Sequence, residues 1–166
     1  MAKTATYALI ESQVLGSATA TVTFSSIPET YTDLVLVVMA KNSASDGDLC
    51  IRFNSDTATN YSYTFMYTNG ASVLSTRGST INRMRIGRTD NTNAYPNIIH
   101  IQDYANTTTF KTAVSRSQNT SLVLTNVGLW RKTPEAITSI SIIDDNGLNF
   151  TTGSTFRLYG IQAGNA

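Results

Sequence analysis

With 166 residues, a formal net charge of +1 and one cysteine, Cys50, the chain fits a single domain (1–166) that can bury a core but forms no internal disulfide or cysteine-based metal cluster. Charged residues make up only 14%, and uncharged polar residues led by 26 threonines replace them. So weak a field steers neither nucleic acid nor anionic membrane, and no apolar stretch approaches the roughly 20 residues of a membrane helix, so neither is expected as a partner.

The first residues lack the basic, apolar and small-residue regions of a signal peptide, so synthesis in a cytoplasm is expected, with residues 1–6 as an extended N-terminal arm. Without a secretory route, the Asn-X-Ser/Thr triplets at Asn60, Asn106, Asn119 and Asn149 stay unmodified. Residues 5–15 and 19–24 read as strands that pair as a hairpin across Gly16-Ser17-Ala18. Pro28 forbids regular pairing in the loop that follows, where Ile27 and Tyr31 tuck inward. Residues 33–40 are an unbroken apolar run, the pattern of a strand buried on both faces, and residues 48–54 alternate with Leu49, Ile51 and Phe53 on one side. The polar segment 41–47 between them predicts an antiparallel hairpin at the centre of a sheet.

Residues 55–60 suggest one helical turn; 61–67 alternate aromatic with small residues; Asn69-Gly70 is a strong turn signal before a short strand at 71–77. Residues 80–87 mix their parities in the manner of an edge strand, and Pro96 introduces the apolar strand 97–102. Strands at 110–118 and 121–129 come next, then a loop at 130–134, a strand at 137–142, a tight turn at 144–147 and a closing strand at 154–161. No window shows helical spacing, and this cadence of short strands is that of an all-β, antiparallel two-sheet sandwich of about 8–11 strands.

Several stretches carry a family resemblance. They are Ala20-Thr-Val-Thr-Phe-Ser-Ser-Ile-Pro-Glu-Thr-Tyr-Thr-Asp-Leu-Val-Leu36, Ile51-Arg-Phe-Asn-Ser-Asp-Thr57 with Asn60-Tyr61, Ile99-His-Ile-Gln-Asp-Tyr104, Gly128-Leu-Trp130 with Ala136-Ile-Thr-Ser-Ile140, and Phe150 with Ser154-Thr-Phe-Arg-Leu-Tyr-Gly-Ile161. Together they resemble small virion structural proteins of tailed bacteriophages. The resemblance implies a jelly-roll sandwich serving as a head decoration (cement) protein, or as a module of tail and fibre proteins. A chain of one domain starting at its own Met, with no coiled-coil or shaft segment, favours the decoration role. The expected partners are then the major capsid protein, or other virion proteins, and further copies of the chain, as a homotrimer on the capsid surface. No cofactor, metal or enzymatic activity is expected.

Individual residues leave alternatives open. Arg83, Arg85 and Arg88 are the one concentrated charge, suited either to carboxylates on a partner or to blocking an edge against aggregation. Trp130, Tyr95 and Tyr104 could form a stacking platform for a host glycan, in which case the chain is a tail-associated binding module; aromatic rings equally fill a sandwich core. His100, the only histidine, lies between Ile99 and Ile101, and Cys50 between Leu49 and Ile51, both consistent with packed strand residues rather than catalytic ones. Asp46 with Asp48, and Asp144 with Asp145, sit in Gly-containing turns; these supply part of a hard-cation shell or simply turn the backbone.

Overall fold

The computed structural model describes residues 6–44, 46–119 and 122–162, and among them there are twelve strands and no helix. The strands are β1 (Tyr7–Val14), β2 (Thr21–Phe24), β3 (Asp33–Ala40), β4 (Gly47–Phe53), β5 (Tyr61–Thr68), β6 (Val73–Ile81), β7 (Met84–Thr89), β8 (Tyr95–Ile101), β9 (Lys111–Gln118), β10 (Val123–Trp130), β11 (Ile140–Asp144) and β12 (Thr155–Ile161). They form an eight-stranded sheet ordered β1-β12-β3-β8-β9-β10-β5-β6 and a four-stranded sheet ordered β2-β11-β4-β7. Every pairing is antiparallel, as expected of a β-sandwich. Twelve strands exceed the expected eight to eleven, and residues 80–87 are not one strand: β6 runs on through Thr80, at φ 57°, to Ile81, and the chain restarts as β7 in the other sheet. Of the expected arm at residues 1–6, residues 1–5 lie outside the described residues.

Two expected hairpins are corrected. β1 pairs with β12 and β2 with β11, so the first two strands belong to opposite sheets. β3 pairs with β12 and β8 while β4 pairs with β11 and β7, so the central pair also splits across the sandwich. The reason is burial. Leu34, Leu36, Val38 and Ala40 of β3 and Leu49, Ile51 and Phe53 of β4 are all fully buried, and crossing between sheets lets those two apolar stripes face each other over the core. A hairpin would have set them side by side. Residues 55–60 form turns and bends rather than a helical turn, whereas Ile27 and Tyr31 pack inward as expected.

β7 ends the four-stranded sheet, yet all of its residues but Arg88 are buried. It lies on the inner face of the larger sheet, held there by side chains that bond its backbone. The Asn97 amide donates to the Arg88 carbonyl and its Oδ1 accepts from the Arg88 N–H, both at 3.1 Å, and Asn126 donates to the Arg85 carbonyl. Small residues permit this approach: a side chain at Gly87 would overlap the Asn97 amide, and one at Gly128 would overlap Met84. The edge is thus closed by docking rather than by charge.

Candidate functional site

The three arginines of the β7 region face carboxylates of the same chain. Arg83 pairs with Asp145, Arg85 Nη2 lies 2.5 Å from Asp48, and Arg88 lies 3.7 Å from both Asp46 and Asp48. Arg85 is buried, its guanidinium 3.9 Å from the centroid of the Phe65 ring. This is an internal ion-pair lattice, and the two acidic turns that looked capable of holding a cation are its anionic half. Asp144 is buried and accepts hydrogen bonds from Thr89 Oγ1 at 2.8 Å, Asn42 Nδ2 at 3.4 Å and the Asn146 N–H at 2.9 Å. Among the described residues no three His, Cys, Asp or Glu side chains converge as metal ligands. Cys50 is buried, and desolvation pushes its thiol well above the ordinary range, the opposite of a nucleophile.

The aromatic candidates do not form a surface platform. Trp130 is 2% exposed and is the last residue of β10 rather than the first of a loop; it is stacked on Tyr61 and edge-on to Phe53. Its indole N–H donates to Asp56 at 2.7 Å. Tyr104 is fully buried, and its hydroxyl donates to the Pro28 carbonyl. Tyr95 alone is half-buried, its hydroxyl accepting from Asn93 at 3.3 Å. Both large rings are therefore core, positioned by the need to bury their area and satisfy one polar tip each.

Asp56 is a structural hub. Burial pushes its pKa up, but hydrogen bonds from Asn60, Trp130 and the Ala58 N–H, with the charge of Lys132, outweigh this and leave it below the usual carboxylate range. Asp90 and Glu135 are held low in the same way, by Asn93 and Thr92 and by Asn54 and Lys132 respectively. A depressed folded pKa stabilises the protein above the unfolded value near 4 and loses that contribution as pH falls through the folded value. Urea titrations at successive pH values will therefore show a stability loss below about pH 4, and Asp56→Asn will flatten part of that limb.

The feature the sequence reading missed is the outward face of the eight-stranded sheet. Register places Leu9, Tyr159, Val35, His100, Val114 and Val127 in one row across six strands. His100 sits there 3.2 Å from Asp33, which also accepts the Asp103 N–H at 2.8 Å. Around the middle of the row lies a shallow hollow of about 370 Å³ between Val35, Ile98, Val114 and Arg116. The unbroken run of β3 is buried on one face and not on both as expected: the chain buries Leu34, Leu36 and Val38, while Val35, Val37 and Met39 point outward and no layer of the described residues covers them. The outward face of the small sheet is different, with a polar row of Thr23, Ser141 and Arg52. Comparison of the chain with protein-family models, with curated proteins and with solved structures found no match.

Proposed function

We propose that the chain is a structural protein of a tailed-bacteriophage virion, a jelly-roll decoration protein that forms a homotrimer on the outer surface of the head and clamps neighbouring major capsid subunits. Strand order supports the jelly-roll reading. With the hairpins β5–β6 and β9–β10 set aside, the sheets reduce to β1-β12-β3-β8 and β2-β11-β4-β7. These are eight strands in two layers, with β12 returning between β1 and β3 and β11 between β2 and β4, as two Greek keys require.

The observation that carries the functional reading is a sheet face on which nine large apolar side chains stay exposed among the described residues, a surface suited to being covered by a partner. Contacts repeated over a shell stabilise it by mass action without chemistry. The surface rich in Thr, Ser and Asn makes many uncharged hydrogen bonds, so attachment will depend little on salt. Antibody against the recombinant chain, applied to purified particles of a phage encoding it, will label heads at many sites per particle. Label confined to tails would transfer the chain to a tail module, and unlabelled particles would end the virion reading.

A further inference from the structure

We infer that the outward face of the eight-stranded sheet is a self-association surface, on which each copy of the chain covers the face of its neighbour. Of the eleven large apolar side chains exposed among the described residues, nine lie on this face, Leu74 and Phe110 being the other two. Several are far from marginal: Leu9 is 55% exposed, Val14 64%, Val123 62% and Val127 52%. Scattered exposed residues mean little, but a row that crosses six strands and is apolar at every one except His100 is a patch.

Its size suits a stable contact. Eight strands about 4.8 Å apart, each roughly seven residues long at about 3.3 Å per residue, span roughly 900 Å². Each partner in a standard interface buries about 800 Å². A net charge of +1 does not hold copies apart.

Charge selects how the copies meet. The face carries Arg77, Arg116 and Arg157, none with an ion pair among the described residues, and its carboxylate, Asp33, is held by His100 and the Asp103 N–H. Two such faces laid together would oppose like charges. The exposed carboxylates Glu29 and Asp103, neither with an ion pair among the described residues, lie instead in the loops before β3 and after β8, so cation meets anion when the face of one copy packs on the loops and edge of the next. A contact of that kind is heterologous, and it closes into a ring when the rotation allows. The hollow beside Val35 and Ile98 would receive a side chain of the neighbour.

This inference deepens the homotrimer part of the proposed function and does not depend on the shell. Sedimentation equilibrium of the purified full chain will give a multiple of 18.0 kDa. The double variant V114D/V127D will dissociate to monomer, with at least a tenfold weaker association. Both positions are exposed, so the variant's circular dichroism and melting profile will remain those of a folded β protein; should it misfold, L9S/V14S at the far end of the face makes the same test. Thr23→Asp, on the outward face of the small sheet, will leave the mass unchanged. A wild-type chain that stays monomeric at about 100 µM, or face variants that associate like wild type, overturns the inference. A monomeric chain that still labels phage heads would overturn it while leaving the decoration reading in place.

Discussion

Trp130→Ala will be the most damaging single substitution, lowering stability by about 3–5 kcal/mol, the range for deleting a large buried ring. Two losses combine. The first is a cavity among residues that cannot all collapse inward: Phe53 packs edge-on at 5.5 Å between centroids and Tyr61 stacks at 6.3 Å, the two rings belonging to opposite sheets. The second is polar. Asp56 loses the indole N–H and keeps only Asn60 and the Ala58 N–H as hydrogen-bond donors. Trp130→Phe separates the two, restoring most of the volume but not the donor, and will cost about 1–2 kcal/mol. Chemical denaturation monitored by circular dichroism measures both. A Trp130→Ala protein within 1 kcal/mol of wild type would mean that the ring is not the keystone between the sheets.

Arg85→Ala will cost about 2–4 kcal/mol, because it removes one partner of a largely desolvated pair and leaves Asp48 behind. The Asp48 side chain is 25% exposed and can recover some water, which keeps the figure below that for a fully buried pair. The loss also includes the guanidinium over the Phe65 ring, at 3.9 Å. The effect will depend on pH. Burial already raises the Asp48 pKa against the opposing charges of Arg85 and Arg88, and deleting Arg85 raises it further. A raised folded pKa means that the ionised form is the costly one, so stability falls as pH rises through it. The deficit of Arg85→Ala relative to wild type will therefore be largest at neutral pH and shrink as pH falls and Asp48 takes up a proton. If Arg85 instead served an external partner, the variant would fold with unchanged stability at every pH.

How much of this could be read from the sequence depends on the range of the interaction involved. Strand identity was legible at β3, β4, β9 and β12, since alternation and β-branched composition act over a few residues. The turns at Asn69-Gly70 and 144–147 were legible too, with Gly70 and Gly147 at positive φ. Pairing was not. A short connection such as 41–46 folds back within a sheet or crosses to the opposite one at similar local cost, and the choice rests on apolar stripes that meet only in the assembled sandwich.

Site residues divide in the same way. Composition marked Arg83, Arg85 and Arg88 as concentrated charge, but the carboxylates that neutralise them come from β4, the loop before it and the turn after β11, which the fold alone brings to β7. Trp130 and Tyr104 carry no sign in sequence of which side of a strand they occupy until a partner sheet lies over them.

By itself, then, the sequence determined that the chain is all-β, that its net charge is close to zero, and where most of its strands run, because propensity and periodicity are local properties. The tertiary structure alone decided which strands are neighbours, which charges pair and which apolar side chains stay exposed among the described residues. Each of those depends on contacts between residues tens of positions apart, whose free energy exists only once the two sheets have closed on each other.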